Sequence, residues 1–147
     1  MRLIEEQSIL ITGATGGLGQ ELGRALAERG ATLLLHGRDA HAGREIVDRI
    51  TGATGNTKIH FYRADLSSLR EVEELARRVI ADVTRLDVLV NNAGVGFGKG
   101  ASKRELSQDG YELRFAVNYL APYLLTERLL PLLKASRPAR IVNVASV

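Results

Sequence analysis

The chain has 147 residues, 45% of them apolar and none a cysteine, which is enough for one domain with a sizeable core and excludes a disulfide framework, a thiolate metal site and a thiol nucleophile. Its 20 basic residues are dispersed among 17 acidic ones with only 5% aromatics, so the net charge of +3 speaks against nucleic acid as a partner. The absence of cysteine favours a cytoplasmic setting; Glu5 and Glu6 are unlike a signal peptide, and the most apolar stretch, Tyr119 to Leu133, is broken by Glu127 and Arg128, so no membrane span is expected.

From residue 7 onward, short β-branched or leucine-rich runs alternate with helical patterns. Strands are expected near 8–12, 31–36, 58–63, 86–91 and 140–145, and helices near 17–29, 40–51, 68–82 and 109–135. Strands separated by whole helices imply βαβ units. The expected fold is therefore α/β, a doubly wound, Rossmann-like parallel sheet covered on both faces, with its ligand beyond the carboxyl ends of the strands.

The first unit is the most informative. Ile9-Leu10-Ile11 feeds into Thr12-Gly13-Ala14-Thr15-Gly16-Gly17-Leu18-Gly19, after which Leu18, Leu22, Ala25 and Leu26 recur at helical spacing up to Gly30. A strand that turns tightly into a helix aims unpaired N–H groups and the positive dipole end at the turn, which is a seat for anionic phosphate. Gly13, Gly16, Gly17 and Gly19 leave room for a pyrophosphate or a neighbouring strand. The phosphate-loop NTPase pattern is excluded, because Lys99 is followed by Gly100 and preceded at the required distance by Ala93. The spacing resembles the glycine turn of the short-chain dehydrogenase/reductase family, in which Thr12, Thr15 and Leu18 would join the glycines at the dinucleotide. Read through Gly13, Gly17 and Gly19 it matches the shorter oxidoreductase branch; read through Gly13, Gly16 and Gly19 it matches the longer epimerase branch.

The second strand ends at Leu35-His36-Gly37-Arg38-Asp39, where dinucleotide folds meet the adenosine ribose. Gly37 stands where the family usually places an acidic residue, and the planar fork of Arg38 suits a 2′-phosphate. NADP is the expected cofactor, with NAD as the alternative; Arg38 as a solvated loop charge is the plainer reading. Asp39 reads as the N-cap of the next helix, and His36 carries no catalytic role. The third strand closes on Asp65-Leu66, with Ser67 placed to cap the helix that follows. Asp65 is either a turn residue or, as the resemblance implies, the acceptor for the adenine amino group, beside Leu66.

Leu86 to Val90 leads into Asn91-Asn92-Ala93-Gly94, and N-N-A-G after the fourth strand is the mark of the oxidoreductase branch. Small Ala93 and Gly94 let backbone pass close to the nicotinamide ribose, and Asn91 can bond both strand ends and cofactor. That branch implies hydride transfer between nicotinamide and a carbonyl or alcohol carbon, assisted by an asparagine, a serine, a tyrosine and a lysine. Asn118 matches the asparagine, and Pro122 four residues on removes a backbone bond from the Asn118 carbonyl, which can then hold a water. Ser146, after Arg140 to Ala145, matches the serine that bonds the substrate oxygen. The tyrosine and lysine form a Y-x-x-x-K. Four residues after Tyr62, Tyr111, Tyr119 and Tyr123 stand Leu66, Phe115, Tyr123 and Glu127, so no such pair is present.

The expectation from 1–147 is therefore a cofactor-binding domain ending just after its fifth strand, incomplete on its C-terminal side and inactive alone. Over Gln108 to Ser146 it is similar to retinol-dehydrogenase-like members. The expected partner is a small carbonyl or alcohol substrate, with no metal. An uncovered edge strand and a leucine face between Tyr119 and Leu133 point to a homo-oligomer. The alternative is a non-catalytic dinucleotide-binding or sensing module.

Overall fold

The computed structural model describes residues 2–96 and 104–145. Five parallel strands, β1 (Ser8–Ile11), β2 (Thr32–Gly37), β3 (Ile59–Arg63), β4 (Val88–Asn91) and β5 (Arg140–Asn143), form one sheet in the order β3-β2-β1-β4-β5. The strand order reverses beside β1, so a crevice opens beyond the ends of β1 and β4.

Alternation along the strands builds two cores. Leu10 and Leu34 face one layer with Val72, Leu75, Leu125 and Leu129; Ile9, Ile11, Leu33 and Leu35 face the other with Ile46 and Ile50. Helices α1 (Gly17–Glu28) and α2 (Ala40–Thr54) supply the second layer, and α3 (Leu69–Asp82) with α5 (Ala121–Ala135) the first. In α1 the buried residues are small, Gly19, Gly23 and Ala27, which brings the helix axis close to the sheet.

The helix boundaries have local causes. Asp39 caps α2 by accepting from the His41 and Ala42 N–H groups, and Gly55 ends it at φ 72°. Ser68 caps α3 by accepting from the Glu71 N–H, one residue after the expected Ser67; the Ser67 N–H is instead held by the Asp65 carboxylate. The helix expected from residue 109 starts later, because Gly110 takes φ 82° and residues 105–112 close into a loop, with Leu106 bridged to Glu112 and the Ser107 N–H donating 2.7 Å to the Tyr111 carbonyl. It then begins with a short turn, α4 (Leu113–Phe115), passes through a π-helical stretch (Ala116–Leu120) and continues as α5. The wide stretch sits just before Pro122, whose ring removes an N–H donor.

Two expectations need correction on this side of the sheet. The fifth strand stops at Asn143 rather than 145. On the long helix Leu125, Leu129 and Leu133 are buried, and the large exposed side chains are Phe115, Tyr119 and Tyr123, so the uncovered face is aromatic. All four residues of β5 are exposed, Ile141 and Val142 included.

Candidate cofactor site

The site is built on three turns at the carboxyl ends of β1, β2 and β4. After β1 the chain takes positive φ at Gly13 (65°) and Gly17 (55°), conformations that strain any L side chain. A Cβ on Gly13 would lie 2.8 Å from the Ala93 Cα, and one on Gly19 would overlap the Gly13 carbonyl oxygen. Gly16 differs. Its φ of −169° is ordinary extended backbone and a Cβ there meets nothing within 4 Å. Conformation and contact thus demand glycine at 13, 17 and 19, the set that matches the oxidoreductase spacing.

Side chains from β4 and β2 hold this turn. The Thr12 hydroxyl donates to the Val90 carbonyl (3.3 Å) and accepts from the Asn92 and Ala93 N–H groups, both at 3.0 Å. The Asn92 Nδ2 donates to the Thr12 carbonyl (3.0 Å) and the Gly13 carbonyl (3.1 Å). From the other side the Gly13 N–H donates to the His36 Nδ1 (3.2 Å) and the Ala14 N–H to the His36 carbonyl (2.8 Å). The first amides of α1 have no acceptor within the helix, so they face the crevice as donors.

A cavity of about 550 Å³ opens there. Of the residues expected to bind cofactor, Gly13, Thr15, Gly16, Leu18, Arg38, Asp65, Leu66, Ala93 and Gly94 line it. Thr12, Gly17, Gly19 and Asn91 do not; the first three shape the turn from behind or beside it. A second cavity, about 880 Å³, adjoins it through Asn92, Ala93, Gly94 and Val95, and reaches Asn118, Tyr123, Asn143 and Val144.

At the β2 and β3 side of this cavity, Arg38 and Asp65 lie together. Burial opposes ionisation of Asp65, but the Ser67 N–H and hydroxyl, the Gln108 amide and the Arg38 charge outweigh it and hold the carboxyl below its usual range. The Gln108 Nε2 donates 3.2 Å to Asp65. Arg63 supports Arg38 from below, its Nε donating 3.2 Å to the Arg38 carbonyl, while Glu71 accepts from both Arg63 (2.7 Å) and the Asp65 N–H (2.8 Å).

In the second cavity Asn118 is tied to Val95, accepting from its N–H (2.8 Å) and donating to its carbonyl (2.9 Å). Its side chain therefore fixes the strand-end loop, and Pro122 deprives its main-chain carbonyl of an α-helical donor. Asn91 joins strands rather than facing the first cavity: its Nδ2 donates to the Asn143 Oδ1 (2.9 Å) and the Thr126 hydroxyl (3.3 Å). Its Oδ1 is buried without a partner among the described residues. Ser146 lies outside the described residues.

His36, Asn92 and Gln108 also build the site, beyond the residues expected from the sequence. His36 carried a usable signal, a polar residue ending an otherwise leucine run; Gln108 carried none, since its contact depends on a loop of distant origin.

The sequence model for short chain dehydrogenases matches residues 7–147. The chain belongs to the short-chain dehydrogenase family. It is 40% identical over 144 residues to mouse retinol dehydrogenase 13, covering 98% of this chain and 42% of that protein. With mouse polyprenol dehydrogenase it shares 40% identity over 141 residues, 93% of this chain and 41% of the relative. The chain thus spans less than half the length of these dehydrogenases. A metagenomic short-chain oxidoreductase solved with NADP superposes with a TM-score of 0.84 at 33% identity, over 99% of this chain and 64% of that one. The Rossmann-like sheet is the family's fold. Among the described residues no group of His, Asp or Glu is placed to hold a metal, and no helix is long and apolar enough to cross a membrane.

Proposed function

We propose that these residues form the cofactor-binding part of an NADP-dependent oxidoreductase acting on a carbonyl or alcohol substrate. The observation that carries this is the single cavity joining the glycine turn, Arg38 and Asp65. Its donor set fits a phosphorylated dinucleotide: amides at the start of α1 for the pyrophosphate, a guanidinium for a 2′-phosphate, and an ionised carboxylate for an adenine amino group. Ala93 and Gly94 continue the cavity with small side chains where a nicotinamide ribose would pass. Bound there, the nicotinamide supplies or accepts hydride.

The chain's own residues orient and exclude. Asn92 and Thr12 keep the glycine turn in one shape, and Asn118 holds the loop at Val95 between the two cavities. In this reading the Asn118 carbonyl holds a water in a proton relay, and Ser146 bonds the substrate oxygen. With no Y-x-x-x-K among the 147 residues, they should bind nucleotide and turn over little. Exposed β5, Phe115, Tyr119 and Tyr123 support association with further copies.

The test is calorimetric titration of the protein with NADPH and NADH, followed by NADPH oxidation over a panel of ketones, retinaldehydes and other aldehydes. Binding of NADPH in preference to NADH with negligible oxidation is expected. Absence of nucleotide binding overturns the reading, and turnover by these residues alone overturns their assignment as a binding part only.

A further inference from the structure

His36 is 1% exposed at the end of β2, the last apolar-facing position before Gly37, and each of its polar atoms is committed. The Nε2 lies 3.1 Å from the Ala64 carbonyl, the Nδ1 takes the Gly13 N–H, and the main-chain carbonyl takes the Ala14 N–H. A carbonyl can only accept and an amide can only donate. The ring is therefore neutral, with its proton on Nε2.

Two successive amides of the turn donate to this one residue, Gly13 to its ring and Ala14 to its main chain, so the ring holds the backbone at Gly13. The ring in turn hangs from Ala64, the residue before Asp65 at the adenosine end. One side chain thereby fixes the distance between the phosphate seat and the adenine seat.

We propose that His36 is a positioning residue for the dinucleotide, acting through its Nδ1 as the acceptor that holds Gly13. The proposal rests on the cofactor reading above. Asn places an amide oxygen where His36 has Nδ1 and so preserves the Gly13 acceptor; Gln reaches Ala64 but puts a methylene beside Gly13; Leu removes both.

NADPH titration of wild type, His36→Asn, His36→Gln and His36→Leu separates these roles. Affinity within about threefold of wild type is expected for Asn, and about tenfold weaker or worse for Gln and Leu. Asn56→Ala, which removes the bonds to the Ala27 and Ala31 carbonyls at the opposite end of β2, serves as the control for general loosening and should leave affinity unchanged. Should the Leu variant not fold, Asn against Gln still decides. Equal affinity in all variants, or Asn no better than Gln, overturns the proposal. Amide exchange at Gly13 gives a readout that needs no nucleotide: protection retained in Asn and lost in Gln supports the clamp, and protection in both overturns it. A wild-type protein that binds no NADPH overturns the cofactor reading, leaving the exchange rates to decide whether the clamp exists.

Discussion

Arg38 and the four glycines of the first turn have separable duties. Arg38 stands at the cavity beside Asp65, its main chain held by Arg63. Replacing it with Asp would set two carboxylates against a 2′-phosphate, so Arg38→Asp should weaken NADPH by about tenfold or more and leave NADH unchanged or improved, as read by parallel titrations. Among the glycines, Gly19→Ala forces a Cβ into the Gly13 carbonyl and should cost about 1–3 kcal/mol in urea unfolding. Gly17→Ala, at φ 55°, should cost about 1–2 kcal/mol. Gly16→Ala should stay within about 0.5 kcal/mol, yet lower NADPH affinity if phosphate passes over it. The spacing of glycines was plain in the sequence, but which of them the backbone needs was not, because positive φ and cross-turn contact depend on Ala93 and Asn92 arriving from β4.

The elements were legible where burial has a period and obscure where loops tie to one another. Leu33-Leu34-Leu35 and Leu86 to Val90 announced strands buried on both faces, and the α1 to α3 boundaries lie within a few residues of expectation. The long helix starts later than its pattern suggests, because Tyr111 and Leu113 continue a helical spacing that Gly110 and the Ser107 turn interrupt. Asn56 shows the same kind of hidden tie. Its Nδ2 donates to the Ala27 (3.1 Å) and Ala31 (2.9 Å) carbonyls and its Oδ1 accepts from the Lys58 N–H (2.8 Å), so one side chain closes both the α1–β2 and the α2–β3 connections. Asn56→Asp would turn an oxygen toward two carbonyls. It should destabilise by about 2 kcal/mol or more in chemical unfolding, while Asn56→Ala costs about 1–3 kcal/mol.

For the molecule as a whole, the stability profile against acid should carry the signature of His36. Burial pushes its imidazole down from 6.5 to about 4, against the smaller opposing pulls of the Ala64 carbonyl and the Asp65 charge. The unfolded chain then binds the proton first. Stability is full above pH 6.5 and is lost as pH falls toward 4, by about 3 kcal/mol over that window. Asp87 acts lower: despite burial, Arg85 and the Ser8 N–H hold its carboxyl below the usual range, so its contribution is lost only below about pH 4. Urea midpoints taken from pH 7 to 4 should fall for wild type and stay flatter for His36→Asn; parallel slopes would remove His36 as the cause. Neither group announced itself in composition, since the burial of His36 and the Arg85 and Ser8 contacts of Asp87 exist only in the assembled sheet.

Asn92 grips the carbonyls of Thr12 and Gly13 across about eighty positions of sequence. During synthesis the glycine turn leaves the ribosome long before the residue that shapes it, so nucleotide finds no finished seat on the first βαβ unit and cannot template its folding. The seat appears only when β4 has docked beside β1, a late, long-range closure. Bound nucleotide therefore belongs on the unfolding side of the kinetics, lengthening the life of the folded chain rather than hastening its birth.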